Sequence, residues 1–323
     1  MVPDILILGQ ITVDDTAPSE PGKWHRRLGG NAFYSVAGAR VWCKPERIGM
    51  VARVALNLPF DVFSVLKGAG LSTDGLTVVP EDALVEWILY EEDGNRQSLP
   101  RNYALRDPAA DQLTLYARYL LHIASLSASS EDIPAAWLPA KAIHLAPQVQ
   151  ERHEASCRIL SSQTQFLSVD PSPHYSRGKD AAQLRSILRG ATAFLPSQAE
   201  IEHMGVPRVA WSAAVNELFD QGFAEVVMKR GSAGCLLMDE AQRSTQVLAA
   251  SQSSPKDFTG AGDAFSGAYA ACRALGCTPM EAAERAIVTA SMVIECSGAE
   301  EAFAIDPREA EERLAEYKKA SQA

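Results

Sequence analysis

Short apolar runs alternate with longer stretches of helical periodicity through most of this chain. Each run is bounded by glycine or proline, and most are followed by a helical pattern. This alternation is typical of strands that lie parallel in one sheet and are covered by helices. We therefore predict an α/β fold with a mainly parallel central sheet and helices on both faces. The runs are DILILG (4–9), AIHLAP (142–147), FLSVDP (166–171), ATAFLPS (191–197) and EVVMKRG (225–231).

The ends of these runs indicate where a ligand would bind. In open parallel sheets, ligands bind beyond the carboxyl ends of the strands. Each run ends in a polar or small residue that suits this edge. These residues are Gln10, Pro147, Asp170, Ser197 and Lys229.

Two stretches, residues 12–27 and 85–98, contain β-like runs without a helix between them. The second is centred on Asp93-Gly94, a dipeptide favoured in tight hairpin turns. We predict that the two stretches form a small sheet that projects from the main domain as a lid, with an ordinary surface hairpin as the alternative. The predicted organisation is a single domain over residues 1–323 whose lid comprises about residues 12–27 and 85–103.

Composition and charge argue against some classes of binding partner. The chain has 323 residues, of which 47% are hydrophobic, so it can bury a large core. Its net charge of −10 argues against nucleic acid as a partner. No apolar run is long enough to span a membrane, and the first residues lack the basic region of a signal peptide. The six cysteines form no C-x-x-C pair, which favours a reducing compartment, and we expect a cytoplasmic protein.

The stretch DFTGAGDAFSGAYAA, residues 257–271, places two glycines before an Ala-rich helical pattern over residues 264–275. Gly260 and Gly262 permit close approach of a ligand, and the amides of a helix N-terminus attract anions. Asp263 brings a negative charge to the same place. It is either a first-turn carboxylate that stabilises its own helix, or a base that accepts the proton of a hydroxyl attacking a bound phosphoryl group.

Other nucleotide and hydrolase signatures fit poorly. Gly260 to Gly262 supply only the beginning of a dinucleotide fingerprint, because Phe265 stands at its third glycine position. The sequence contains no G-x-x-x-x-G-K-[ST], H-E-x-x-H or G-x-S-x-G. These observations argue against a Rossmann oxidoreductase, a P-loop NTPase and the commoner hydrolases.

The residues 257–265, DFTGAGDAF, resemble the D-T-T-G-A-G-D-x-F signature of the ribokinase-like (PfkB) sugar and nucleoside kinases. This resemblance extends over nearly the whole chain. It implies a ribokinase-like fold and an ATP-dependent, magnesium-requiring transfer of a phosphoryl group to an alcohol. The further matching segments are GQITVD (9–14), GGN (29–31), LPSQAE (195–200), VVMKRGSAG (226–234) and CSGA (296–299).

The resemblance also implies roles for single residues. It makes Asp263 the catalytic base and the amides of Gly260, Ala261 and Gly262 an anion hole. The substrate site that it implies consists of Asp14, Gly29, Gly30, Asn31 and Tyr34. The residues that it implies for ATP are Lys229, Gly231, Gly234, Thr259, Ser297 and Gly298.

Two cation sites are implied in the same way. Glu200 would orient Mg²⁺ through water, which suits the tendency of this ion to keep part of its hydration shell. Asp257 and carbonyl groups near Ser297 would hold a monovalent cation, K⁺.

Departures from the family pattern leave the acceptor open. Ser197 stands where the family usually has Asn, and residues 170–176 lack the Asn and Arg of the acid-sugar kinases. Tyr34 replaces an Asn found in many sugar kinases, and it either stacks on a substrate ring or packs in the core. Lys229 either binds the triphosphate or extends from a strand end to the surface.

We therefore expect a kinase for a hydroxyl of a sugar or sugar-like substrate, with polyols among the acceptors. The alternatives are a nucleoside kinase of the same family and a catalytically silent sugar-binding sensor on this fold. An NAD-linked oxidoreductase is a third, poorer interpretation. The expected partners are small molecules, with neither nucleic acid nor membrane, and a homodimer through the lid is a further expectation.

Overall fold

The fold is built on two β-sheets of unequal size. The computed structural model describes residues 2–17, 25–90, 96–99, 111–239 and 246–321. The strands are β1 (Ile5–Gln10), β2 (Thr12–Ala17), β3 (His25–Gly29), β4 (Ile48–Ala55), β5 (Leu76–Val79), β6 (Val85–Tyr90), β7 (Arg96–Leu99), β8 (Ala140–Leu145), β9 (Thr164–Val169), β10 (Ala193–Phe194), β11 (Glu225–Lys229), β12 (Cys235–Asp239) and β13 (Gln246–Leu248).

Helices connect most of these strands. They are α1 (Asn31–Trp42), α2 (Val62–Gly68), α3 (Gln112–Leu126), α4 (Gln150–Leu160), α5 (Pro173–Ser176), α6 (Ala181–Ile187), α7 (Gln198–His203), α8 (Trp211–Asp220), α9 (Ala261–Ala274), α10 (Pro279–Val293), α11 (Ala299–Ala302) and α12 (Pro307–Ser321). Short 3-10 turns cover Pro45–Arg47, Ser130–Asp132, Ala135–Trp137, Arg208–Ala210 and Gly231–Ala233. No helix in the described ranges has both the length and the apolar character needed to cross a membrane.

The large sheet has nine strands among the described residues, in the order β13-β12-β11-β10-β9-β8-β1-β4-β5. The pairings from β11 to β5 are parallel, whereas β12 and β13 are antiparallel to their neighbours. The carboxyl ends of the seven parallel strands from β11 to β5 therefore meet at one edge. The predicted α/β class with a mainly parallel sheet is confirmed.

Strand β1 shows why helices cover both faces of the large sheet. All six of its residues are buried, and successive strand side chains point to opposite faces. Ile5 and Ile7 belong to a core shared with α1, α9 and α10. Leu6 and Leu8 belong to a second core shared with α4, α6 and α8.

The small sheet has four strands in the order β3-β2-β6-β7. Its strands come from the two stretches that were predicted to form a lid, so the predicted second sheet is confirmed. β2 pairs with β3 antiparallel and with β6 parallel. The Asp93-Gly94 turn and the predicted lid residues 18–24 and 100–103 lie outside the described residues.

Two glycines bring the helices α1 and α9 into backbone contact. A Cβ atom on Gly38 would lie 2.1 Å from the carbonyl oxygen of Ala264, and one on Gly267 would lie 1.9 Å from that of Ser35. Neither position therefore has room for a larger residue. This close approach sets the N-terminus of α1 beside that of α9.

Some elements differ from their sequence-based prediction. α9 begins at Ala261 and not at residue 264, because Gly260 supplies its N-cap and Gly262 and Asp263 join its first turn. The strands β4, β5, β12 and β13 are additional to the five predicted runs. Their places in the sheet depend on pairing with strands distant in sequence, which a local pattern does not encode.

Candidate active site

The turn that begins α9 has a conformation only glycine adopts readily. Gly260 is the N-cap, with φ 75° and ψ 0° in the left-handed region. A Cβ atom there would lie 2.0 Å from Cγ of Tyr34, whose ring is buried. The observed packing thus uses Tyr34 to cover the turn, as in the core-packing alternative. Its role in substrate binding stays a prediction.

The first turn of α9 is partly exposed to solvent, whereas the middle of the helix is buried. Every residue from 264 to 272 is buried, whereas Gly262 is exposed and Ala261 and Asp263 are half-buried. The N-cap has no side-chain hydrogen bond to the first turn. The turn therefore presents backbone amides and the Asp263 carboxylate together, the combination expected of an anion hole beside a base.

Lys229 lies beside this turn and not on the surface. Its ammonium group forms an ion pair with Asp170 and a 3.1 Å hydrogen bond with Ser266 Oγ. A Cβ atom on Gly262 would lie 3.9 Å from Lys229 Nζ. The side chain is 11% exposed, so the surface alternative is not what the structure shows.

Asp170 is a site residue to which the sequence analysis gave no role beyond marking a strand end. It follows β9, is buried, and accepts a 2.7 Å hydrogen bond from Ser266 Oγ. Burial raises the pKa of Asp170, the ammonium of Lys229 opposes this, and the negative charge of Glu200 raises it further.

Glu200 occupies the third position of α7 and closes a capping box. Its Oε2 accepts hydrogen bonds from the backbone N–H of Ser197, at 2.6 Å, and from the Ser197 hydroxyl. Ser197, which stands where the family usually has Asn, is thus the N-cap of α7 and a partner of Glu200. The role of Glu200 toward magnesium stays a prediction.

The predicted substrate residues converge where β1, β2, β3 and α1 meet. Asp14 is buried, accepts a 2.6 Å hydrogen bond from Thr12 Oγ1, and covers Gly29, where a Cβ atom would lie 2.0 Å from Asp14 Oδ2. Gly30 has φ 104° and precedes α1. A Cβ atom on Gly30 would lie 2.4 Å from the carbonyl oxygen of Gln10.

Asn31 links the ends of two central strands. Its Oδ1 accepts a 2.8 Å hydrogen bond from the backbone N–H of Gln10, and its Nδ2 donates one of 2.7 Å to the carbonyl of Pro147. Gln10 ends β1 and Pro147 follows β8. Asn31 therefore has a structural function here, whatever substrate contact it makes in addition.

The residues predicted for ATP lie on three segments. Gly231 (φ 54°) is the first residue of the 3-10 turn after β11, and Gly234 (φ 77°) is its C-cap. A Cβ atom on Gly234 would lie 2.0 Å from the carbonyl oxygen of Leu248, whereas one on Gly231 would meet no atom of the described residues within 4 Å. Gly231 thus leaves open space beside the backbone, as a phosphate contact requires.

The other residues predicted for ATP lie on two segments, one around Asp257 and one at the start of α11. Its Oδ1 accepts a 2.9 Å hydrogen bond from the backbone N–H of Thr259, which is buried. Gly298 (φ 97°) and the preceding Ser297 stand at the start of α11. Arg27 of β3 reaches this segment and pairs with Asp257, with Nη1 3.4 Å from Oδ2.

The structure thus brings residues from both halves of the chain to the carboxyl edge of the large sheet. No group of three or more His, Cys, Asp and Glu residues in the described ranges is arranged to hold a metal ion. Three side chains of this candidate site were not predicted from the sequence: Asp170, Ser266 and Arg27. The position of Asp170 at a strand end was a usable signal, whereas those of Ser266 and Arg27 depend on tertiary packing.

Comparison with known families matches residues 58–305 to the pfkB family carbohydrate kinases. The chain belongs to the pfkB family of carbohydrate kinases. It is therefore a phosphotransferase with an alcohol group as acceptor.

The relatives of this pfkB family kinase act on different acceptors. A cytidine kinase of Thermococcus kodakarensis is 24% identical over 271 residues, 83% of this chain and 87% of the relative. A 2-dehydro-3-deoxygluconokinase of Escherichia coli is 42% identical over 91 residues, 28% of each chain. The family therefore includes both nucleoside and sugar-acid kinases, and membership alone does not name the acceptor.

A solved structure supports the fold of the pfkB family kinase. The ribokinase of Arabidopsis thaliana, complexed with ribose and ATP, superposes with a TM-score of 0.66 at 17% identity, over 97% of this chain and 99% of the other. At this identity the likeness shows the ribokinase-like fold alone.

Proposed function

We propose that this pfkB family kinase transfers the γ-phosphoryl group of ATP to a hydroxyl of a sugar or sugar-like substrate, with Asp263 as the base. The observation that supports the proposal is the partly exposed first turn of α9. Gly260 is its left-handed N-cap, and Asp263 lies beside the backbone amides of the helix N-terminus. The amides suit the phosphoryl group, whereas the carboxylate suits the attacking hydroxyl.

The proposed mechanism uses the edge of the large sheet. Asp14, Gly29, Gly30 and Asn31 hold the acceptor, and its hydroxyl gives a proton to Asp263 as the phosphoryl group transfers in line. The amides of residues 260–262 stabilise the charge that develops on the transferring group. The residues proposed for ATP are Lys229, Gly231, Gly234, Thr259, Ser297 and Gly298.

The charges at this edge fit magnesium bound together with ATP. Asp170 and Glu200 carry two negative charges, and Lys229 pairs directly with one of them. Glu200 would organise the water shell of the ion, in keeping with magnesium's preference for water and phosphate ligands. Such an ion would supply positive charge that neutralises part of the charge on the phosphates of ATP.

Two alternatives define the first experiment. The cytidine kinase relative keeps nucleosides among the acceptors, and a silent sugar-binding sensor would bind a sugar without turnover. A coupled assay of ADP release across sugars, polyols and nucleosides separates them. ADP release with a sugar or polyol supports the proposal, whereas release with nucleosides alone supports the nucleoside alternative. The absence of release with every acceptor contradicts both kinase functions.

Asp263→Asn tests the base directly. We expect turnover to fall on the order of 10²- to 10⁴-fold, because the variant keeps the shape of the carboxylate but loses the proton acceptor. ATP affinity should hold or increase, since a negative charge near the phosphates is removed. Steady-state kinetics and calorimetry with ATP measure the two effects.

Glu281→Gln is the matched control for that experiment. Glu281 is the acidic residue at the third position of α10, as Asp263 is in α9, and it closes a capping box with Thr278. Its loss should leave turnover unchanged. If Asp263→Asn also keeps turnover within about threefold of wild type at an unchanged melting temperature, Asp263 is a helix-start carboxylate and not the base.

The homodimer through the lid and the cytoplasmic location stay predictions from the sequence. The single-domain organisation with a lid of about residues 12–27 and 85–103 is likewise proposed. Sedimentation of the purified protein tests the dimer.

A further inference from the structure

The guanidinium group of Arg27 lies where the family resemblance implied a monovalent cation. Its Nη1 is 3.4 Å from Oδ2 of Asp257, and the two side chains are 29% and 12% exposed. A Cβ atom on Gly298 would lie 2.7 Å from Cδ of Arg27, so the stem of the arginine crosses the start of α11. Arg27 thus contacts both segments that were expected to supply ligands to K⁺.

The Asp257 carboxylate has both oxygens engaged within the chain. Oδ2 faces Arg27, and Oδ1 accepts the 2.9 Å hydrogen bond from the N–H of Thr259. Thr259 is buried and directly precedes Gly260. The Arg27–Asp257 pair therefore acts on the residue before the turn that presents the anion-hole amides.

A metal cation in this place would meet a permanent positive charge. Like charges that lie within a few ångströms of each other at a partly buried site repel strongly, and arginine does not lose its charge in proteins. The Asp257 segment therefore does not fit K⁺ while Arg27 stays paired with it. The expectation of a potassium site disagrees with the arrangement of these residues.

Arg27 also belongs to the small sheet, on the same face as Asp14. The two residues are cross-strand partners of β3 and β2, and such partners have side chains on one face of a sheet. A single guanidinium therefore connects the strand pair that carries the proposed substrate residue to the turn that begins α9. This connection would transmit displacements of the small sheet to the anion hole.

We propose that Arg27 is the resident cation of the Asp257 turn and a positioning residue for the anion hole, so that turnover needs no monovalent metal cation. The inference rests on the proposed kinase function for its kinetic test. The binding of a metal cation in place of Arg27 can be tested without measuring turnover.

Arg27→Gln is the test variant, and Arg26→Gln is its matched control. Arg26 is the neighbouring residue on β3, pairs with Asp15 and is 58% exposed. Arg26→Gln therefore removes the same positive charge from the other face of the small sheet. Turnover and the KM for ATP are measured in tetramethylammonium chloride and then with increasing KCl at constant ionic strength. The best acceptor from the ADP-release screen is used throughout.

We expect wild type and Arg26→Gln to change less than about twofold with KCl, because neither has an open cation site. Arg27→Gln should lose about tenfold or more in kcat without KCl, as expected when a group that positions a site is removed. KCl should restore part of that loss, since removal of the guanidinium leaves the Asp257 carboxylate open to a cation. A merely structural arginine would give no rescue by potassium.

Melting temperature measured with and without KCl is the readout that does not depend on turnover. Potassium should raise the melting temperature of Arg27→Gln and leave wild type and Arg26→Gln unchanged, because only the first has an unpaired Asp257. This result can hold even if the acceptor screen fails, which separates the inference from the proposed function.

Two outcomes overturn the inference. One is activation of the wild-type enzyme by potassium of about tenfold or more, which would show a working metal site beside Arg27. The other is an Arg27→Gln variant that matches Arg26→Gln in kcat and in its response to KCl. The wild-type measurement decides the question even if Arg27→Gln does not fold.

Discussion

At the scale of single residues, the contact between Gly260 and Tyr34 determines the shape of the candidate anion hole. The left-handed φ of 75° turns the chain into α9, and the buried ring of Tyr34 fills the space where a side chain would begin. Gly260 is therefore constrained both by its backbone conformation and by packing. These two constraints can be measured separately.

Gly260→Ala and Gly276→Ala separate them. Gly276 also has a positive φ, 88°, but a Cβ atom there would meet no atom within 4 Å in the part of the chain that the structure describes. We expect Gly276→Ala to lower the free energy of unfolding by about 1–2 kcal/mol from backbone strain alone. Gly260→Ala should lower it by roughly 1–3 kcal/mol more, because the ring of Tyr34 must move.

Chemical denaturation of both variants measures this difference. Equal losses of stability would show that Tyr34 moves aside at no cost and does not constrain the turn. A folded Gly260→Ala variant should also lose turnover, since displacement of the turn moves the proposed anion-hole amides.

At the scale of elements, the ion pair of Lys229 and Asp170 joins two strands and a helix. Lys229 ends β11, Asp170 follows β9, and Ser266 of α9 hydrogen-bonds to both. The pair is nearly inaccessible to solvent, so neither charge can be removed without leaving the other buried and uncompensated. The cluster therefore fixes the first turns of α9 against the sheet edge.

Lys229→Met should lower the free energy of unfolding by about 3–5 kcal/mol, because it leaves the Asp170 carboxylate without its partner. The double variant Lys229→Met with Asp170→Asn should lose less, since no unpaired charge remains. Lys318→Met is the matched control: Lys318 pairs with Glu284 at 3.2 Å and is 38% exposed, and its loss should cost below about 1 kcal/mol.

Denaturant titrations of the three variants test this assignment. If Lys229→Met and Lys318→Met lose similar amounts of stability, Asp170 is not dependent on Lys229 and the cluster does not hold α9. Turnover of the double variant, if it folds, then reports on the separate proposal that Lys229 contacts ATP.

At the scale of the whole molecule, one face of the small sheet spans the candidate site. Arg27, Asp14 and Glu86 are successive partners on β3, β2 and β6. Arg27 pairs with Asp257 before α9, and Glu86 accepts a 2.7 Å hydrogen bond from the hydroxyl of Tyr119 on α3. The small sheet is thus attached to the main body on both sides of Asp14.

We predict that acceptor and nucleotide together protect residues 12–17, 25–29 and 85–90 from amide hydrogen exchange, because a lid that excludes water becomes ordered. Exchange is followed by mass spectrometry at saturating ligands. The buried strand β8 (Ala140–Leu145) is the internal control and should not change. Unchanged exchange in all three segments would show that the small sheet is not a lid.

The sequence alone predicted the elements in which local patterns and local conformation dominate. The five predicted apolar runs are all strands, because burial on both faces requires uninterrupted apolar residues. A helix N-terminus at residues 260–263 was predicted for a similar reason, because glycine favours the left-handed conformation of its N-cap. The helical pattern was expected from residue 264, whereas α9 begins at Ala261. The family signature at residues 257–265 then indicated phosphoryl transfer, in agreement with the family match.

Tertiary structure decided which of those local features became partners. Lys229 lies 59 residues from Asp170, and Arg27 lies 230 residues from Asp257. Such pairs depend on the order of the strands and on the close approach of α1 and α9. The local periodicity of hydrophobic residues encodes neither of these. The same packing placed Tyr34 on Gly260 and Arg27 where K⁺ was expected, because side chains distant in sequence compete for the same space only after the chain has folded.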